Sequence, residues 1–232
     1  ELATKYDTVV IEDLAYLCMD FRRELGHPFQ APYQATVARY TDNYVLMLSG
    51  SKIFSYAGQR IAIAAIPEKV YNRFSPELKR RYGIGRLGDS YVLTFLYAAS
   101  SGTSHSAQYA LAAMFGAAAD GKLDFVAETG EYARRARLVK DIFLRHGFRI
   151  VYDRDLGEEV SDGFFFTIGY GHMTSAGLLE ALLLYGICAI SLTSTGSRQD
   201  GIRVCISQMN EARQFDLLDQ RLAAFAAAHK ND

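Results

Sequence analysis

An acid, a phenol, an amine and a guanidinium follow one another along this chain: Asp13 with Tyr16 three residues on, Ser49-Gly50-Ser51-Lys52, then Arg60 eight residues after the lysine. Taken singly, each has an ordinary explanation. Asp13 alone is a strand-end or capping acid, Tyr16 a core tyrosine, Arg60 a surface arginine, and Lys52 by itself means little. Their joint order matters because Asp13 and Ser49–Lys52 follow apolar runs that read as strands, and Arg60 stands just before a third. In open α/β sheets, ligands bind beyond the carboxyl ends of strands, so such residues converge on one crevice however far apart they lie in sequence. The same segment also carries Ser49-x-x-Lys52, a spacing at which a lysine can activate a serine nucleophile.

Three runs, Thr8–Ile11, Tyr44–Leu48 and Ile61–Ile66, lack polar alternation and fit strands buried on both faces, as in a parallel sheet. Pro67 is expected to open a helix running towards Tyr82. The stretch from Ser90 to Phe115 reads as helix with a break near Gly102. A second unit follows Asp120-Gly121: a helix from Phe125 to His146-Gly147, strands at Arg149–Tyr152 and Gly163–Ile168, a helix over Ser175–Tyr185, strands at Ile187–Leu192 and Arg203–Ser207, and a closing helix from Asn210 to about His229.

The chain has 232 residues, half of them hydrophobic, with 25 basic against 26 acidic side chains. It can bury a core, and its scattered basic residues form no field for nucleic acid or an anionic membrane. Cys18, Cys188 and Cys205 are too dispersed for a disulfide framework or a zinc cage, so a reducing cytoplasm is the expected compartment. The apolar stretch Leu178–Leu192 is interrupted by Glu180 and falls short of the roughly 20 residues of a spanning helix. His105 and His172 are expected to serve packing or helix ends, and no spacing suggests a metal site. Gly83-x-Gly85-x-x-Gly88 matches the dinucleotide fingerprint in letters, but helix-like residues precede it where that motif needs a strand, so it reads as a turn. Ser49-x-x-Lys52 and Ser161-Asp162-Gly163 echo the penicillin-recognising acyl enzymes, yet no Lys-Thr-Gly follows, and Ser49 follows a strand where that nucleophile opens a core helix.

The segments Ile11-Glu12-Asp13-Leu14-Ala15-Tyr16 and Ser49-Gly50-Ser51-Lys52-Ile53-Phe54-Ser55-Tyr56-Ala57-Gly58-Gln59-Arg60-Ile61-Ala62 resemble the aspartate aminotransferase family, class I and II aminotransferases of the fold type I pyridoxal-phosphate enzymes. Gly201-Ile202-Arg203-Val204-Cys205-Ile206-Ser207 is similar to that family's carboxylate-binding arginine strand, and Ser161-Asp162-Gly163-Phe164-Phe165-Phe166 to the strand entering its small domain. The resemblance runs nearly end to end. It implies an α/β fold: the C-terminal part of a pyridoxal-phosphate-dependent transferase large domain, a mostly parallel sheet with helices over residues 1–121, plus an α/β small domain over 122–232.

It further implies a cofactor, pyridoxal 5'-phosphate, and a role for each matching residue. Lys52 would form the Schiff base with the cofactor aldehyde and, displaced by substrate, shuttle a proton. Asp13 would pair with the pyridine nitrogen and Tyr16 with the ring oxygen. Ser49, Ser51 and Arg60 would hold the phosphate, and Arg203 would clamp the substrate carboxylate. The implied reaction moves an amino group between an L-amino acid and a 2-oxo acid. Lyase or synthase chemistry on the same lysine, or a non-catalytic effector-binding module, are the alternatives. A homodimer with its site at the subunit interface is implied too, with Ser100–Ser106 a candidate for proximity to it. Counterparts of the family's N-terminal region have no candidate upstream of Asp13, and the chain opens on Glu1. The expectation is therefore a C-terminal piece that requires a missing N-terminal segment.

Overall fold

The computed structural model describes residues 1–160 and 163–230. They form two compact units, the first from Glu1–Cys18 with Glu24–Ala127, the second from Met19–Arg23 with Glu128 onward.

In the first unit, helix α1 (Leu2–Lys5) precedes strand β1 (Val10–Leu14), β2 (Tyr44–Ser49), the one-turn helix α2 (Gly50–Ile53) and β3 (Ala62–Ala65). The strands form one sheet in the order β1-β2-β3. β1 and β2 run parallel, Val10 opposite Tyr44 through Leu14 opposite Leu48, whereas β3 is antiparallel to β2, with Ser49 opposite Ala62. The antiparallel strand departs from the parallel expectation for all three runs. Its cause is local: Ser55 and Arg60 both take left-handed backbone (φ 51° each), which reverses the chain between β2 and β3 without a crossover. Burial on both faces is not observed either. Ile11 is 71% exposed and Ile63 38%, because the helices of this unit cover the sheet only in part.

Short helices α3 (Glu68–Tyr71) and α4 (Pro76–Tyr82) replace the single helix expected over 67–82. Pro76 and the residue before it explain the interruption. Proline disfavours helical backbone at Ser75, which instead is extended and caps α4 by accepting the Leu78 N–H. Helical backbone then runs through α5 (Leu87–Ser90), a π-helical stretch Tyr91–Leu96 and α6 (Tyr97–Ser100), and breaks where Ser101 and Gly102 turn left-handed. Helix α7 (His105–Ala119) packs Ala107 and Leu111 on Ile61, and α8 (Phe125–Arg145) leads into the second unit.

There, β4 (Arg149–Ile150), the hairpin strands β5 (Arg154–Asp155) and β6 (Glu158–Glu159), β7 (Phe165–Gly169), helix α9 (Ser175–Leu184), β8 (Ile190–Ser191), β9 (Ile202–Cys205) and α10 (Ala212–Ala228) follow. Strands β4-β7-β9-β8 form an antiparallel sheet. Alternate residues of its central strands, Phe166 and Ile168 with Ile202 and Val204, face Val139, Phe143, Leu178, Leu182, Leu222 and Phe225 of the helices, which makes the larger core. The β5–β6 hairpin is absent from the sequence reading because its charged residues carry no apolar alternation. Ser161 and Asp162, part of two of the motifs above, lie outside the described residues.

Candidate active site

β1 and β2 are parallel, so their carboxyl ends lie at one sheet edge. β3 is antiparallel, so the residues just before it return to that same edge. The topology therefore brings together the end of β1 with Asp13 and Tyr16, the turn of Ser49, Ser51 and Lys52, and the approach to β3 with Arg60. Asp13 lies within β1, opposite Met47, not just past the strand. Its Oδ1 accepts the Ala15 N–H at 2.9 Å, an Asx turn that ends the strand and sets up the return of Tyr16. The Lys52 Nζ sits over the Tyr16 ring, 5.6 Å from its centroid, so amine and phenol meet across the β1 and β2 ends.

Ser49 is extended and caps α2, its Oγ accepting the Ser51 N–H at 3.1 Å. Among the described residues its hydroxyl proton meets no acceptor. Gly50 is buried, and a Cβ there would come within 3.1 Å of Leu111 Cδ1, so this turn is pressed on α7. Arg60 closes the segment with its left-handed backbone and donates Nη1 to the Ala57 carbonyl at 2.7 Å, leaving the rest of the guanidinium for other partners. A non-glycine residue in that conformation costs of the order of 1 kcal/mol and persists because the hydrogen-bonded turn enforces it. Arg60 also lines a cavity of about 630 Å³ with Gln59, Tyr71, Ser100, Thr103 and Ser104.

Two competing motifs receive structural explanations. Gly83 ends α4 in left-handed backbone (φ 74°), and the glycines after it are packing positions: a Cβ on Gly85 would stand 2.3 Å from the Phe74 ring, and one on Gly88 2.1 Å from the Tyr71 ring. The segment joins two helices, so the strand-to-helix turn that binds a pyrophosphate is not formed. Ser49 caps a single turn of helix and does not open a core helix. Cys18, two residues past Tyr16, is pushed up to about 11 by burial and by the Asp124 carboxylate, which keeps it a thiol.

Arg203 belongs to the second unit, on β9 between β7 and β8. It projects from the face opposite the core, since its neighbours Ile202 and Val204 are buried. Its guanidinium lies over the Phe165 ring, 4.5 Å from the centroid. Among the described residues it makes no side-chain hydrogen bond or ion pair. A half-buried guanidinium without a counter-ion suits an incoming anion. Sequence reasoning missed Phe165: it sits diagonally across two strands from Arg203, and pairing register is not readable from one sequence. The hydrogen bond of buried Ser175 to exposed Asp200, ahead of β9, was missed for the same reason.

The family model for aminotransferase class I and II matches residues 1–219. The chain belongs to that family. No curated protein matches it. Among solved structures it is similar to a mutant of Thermus thermophilus aspartate aminotransferase (15% identity, TM-score 0.66, 97% of this chain and 52% of that one). It is also similar to the aromatic aminotransferase of Pyrococcus horikoshii (15%, 0.65, 99% and 53%). A third likeness is to the Escherichia coli protein YbdL, for which a methionine aminotransferase function is described (18%, 0.63, 93% and 49%). The α/β fold is thus that of aminotransferases, and the chain spans about half the length of these structures. Among the described residues, no helix is long and apolar enough to cross a membrane, and no cluster of His, Cys, Asp and Glu could hold a metal ion.

Proposed function

We propose that this protein is a pyridoxal-phosphate-dependent aminotransferase that moves an amino group between an L-amino acid and a 2-oxo acid. The observation that carries the reading is the single sheet edge at which Asp13, Tyr16, Ser49, Ser51, Lys52 and Arg60 end up, although the sequence spreads them over 48 residues. The donor set fits the cofactor group by group. Lys52 offers an amine for its aldehyde, Asp13 a carboxylate for its ring nitrogen and Tyr16 a phenol for its ring oxygen. Ser49, Ser51 and Arg60 offer hydroxyls and a guanidinium for its phosphate.

When bound, the cofactor supplies an electron sink for the carbanion left when a substrate Cα–H bond breaks. The chain's own residues do the rest. Lys52 would hold the cofactor through its amine and, once substrate has displaced it, would take the substrate Cα proton on that freed amine. Asp13 would pair with the ring nitrogen and favour its protonated form, which strengthens the sink. Ser49 would donate its hydroxyl proton to the phosphate while its oxygen caps α2 by accepting the Ser51 N–H. Arg203 would take the substrate carboxylate as a forked pair, which fixes the Cα–H bond in one orientation. We further propose residues 1–121 as cofactor-binding domain and 122–232 as small domain, a cytoplasmic homodimer, and a site completed by an N-terminal segment.

The test is borohydride reduction of the intact protein with added pyridoxal phosphate, followed by peptide mapping. A pyridoxyl group on the peptide containing Lys52, absent in Lys52→Arg, supports the reading. Label at another lysine or none at all overturns it, and acylation of Ser49 by a β-lactam would favour serine chemistry instead.

A further inference from the structure

The guanidinium of Arg203 uses its flat face on Phe165 and keeps its edges, where all five N–H donors point, uncommitted among the described residues. A long side chain with no bond to its head ordinarily samples several rotamers, and a ligand that needs the forked geometry must freeze them. Stacking removes that freedom without consuming a donor. We infer that Phe165 is a positioning residue that pre-orients Arg203 to receive a carboxylate, an inference that rests on the reading of Arg203 as the substrate's carboxylate site.

The register makes the contact specific. Thr167 lies directly opposite Arg203, and Phe165 directly opposite Cys205, so ring and guanidinium are diagonal neighbours on the outer face of the sheet. At that separation only an aromatic or similarly long side chain reaches its partner. The ring is itself held from behind. Phe165 and Phe164 meet edge to face at 6.4 Å, and buried Phe164 meets Tyr132 at 4.5 Å and 90°. Arg135 covers the Tyr132 ring at 5.3 Å and donates to the Ser207 carbonyl at 3.3 Å, two residues past the end of β9. The chain of contacts that starts at Arg203 thus returns to the segment just beyond the strand that carries it. An apolar side chain without a ring would fill the space of Phe165 but offer no negative face to the cation.

The experiment measures KM and kcat of the intact holoenzyme with whichever of the twenty L-amino acids it turns over fastest, in F165L, F165Y and R203A. The inference expects F165L to raise KM about three- to thirty-fold, the range of a cation–π contact, with kcat changed less than about twofold, and F165Y to stay near wild type because it keeps the ring. Should F165L not fold, F165M carries the same expectation. The Arg203 Nε–H resonance gives a readout independent of turnover: ring-current shifted in wild type and F165Y, unshifted in F165L. If R203A raises KM and F165L does not, the positioning role fails while the carboxylate site stands. If R203A leaves KM unchanged, the carboxylate reading fails and takes the inference with it.

Discussion

Replacing Gly88 by alanine tests the packing explanation of the glycine motif. The added Cβ would lie 2.1, 2.2 and 2.4 Å from Cδ2, Cε2 and Cγ of Tyr71, more than an ångström inside ordinary contact for each. The ring cannot simply swing away. Its hydroxyl donates to Asp89 at 2.9 Å, and Asp89 is held by Arg86 at 2.7 Å, an arrangement that raises the Tyr71 phenol and holds the Asp89 carboxyl below its ordinary value. Overpacking of this kind costs about 1–3 kcal/mol, and the tether favours the upper end. Against it stands the helix preference of alanine over glycine in α5, about 1 kcal/mol. The net expectation is a loss of about 2 kcal/mol, some thirty-fold in the folding equilibrium. Urea unfolding of the intact protein reads it. Gly116, exposed within α7 with open space where a Cβ would go, is the control: Gly116→Ala gains about 0.5–1 kcal/mol from propensity alone. Tyr71→Ala closes the cycle, since Gly88→Ala made in that background meets no ring and loses most of its cost. A cost for Gly88→Ala within about 0.5 kcal/mol of zero, or one unchanged when Tyr71 is absent, refutes the reasoning.

Asp124→Ala removes the acceptor for the Val126 and Ala127 N–H groups at the start of α8 and the 2.6 Å partner of His27, so about 1 kcal/mol is lost at pH 7. Burial pushes the Asp124 carboxyl up, but the His27 hydrogen bond and the helix N–H groups outweigh it and hold the group below its ordinary value. Its folded form is the more acidic, so the stabilisation is present above the usual carboxyl range near pH 4 and fades as pH falls through it; unfolding curves of wild type and variant that stay equally separated at pH 3 and 7 would contradict this. Ser175→Ala strands the buried Gly201 N–H, which donates to Ser175 Oγ at 3.0 Å, and removes that hydroxyl's bond to Asp200. The cost is about 1–3 kcal/mol, checked by urea unfolding. Glu131 accepts from both Arg134 and Arg135 and is brought down to about 2; Glu131→Gln loosens Arg135 at neutral pH and not below pH 2, read as the Arg135 Nε–H shift.

Local chemistry made much of this protein readable from its residues alone. The order Asp13, Tyr16, Ser49, Ser51, Lys52, Arg60 and the 3.6-residue periodicity of α8 are properties of the chain, and so is the break at Ser101-Gly102. Helix α8 follows from apolar spacing and the glycine at its end, and α7, α9 and α10 from local runs of small and apolar residues, none of which needs knowledge of what packs where. Tertiary structure decided matters of pairing and contact. The orientation of β3 depends on left-handed backbone at Ser55 and Arg60, residues with no intrinsic preference for it. The role of Gly85 and Gly88 depends on two rings, Phe74 and Tyr71, arriving from α3 and the turn after it. Phe165 beneath Arg203 depends on a register between β7 and β9, strands separated by 32 residues of chain. Sequence carries periodicity and local bonding because they involve neighbours a few residues apart. Register and ring contacts arise between segments far apart in the chain, where a one-residue shift would turn Arg203 from the outer face into the core.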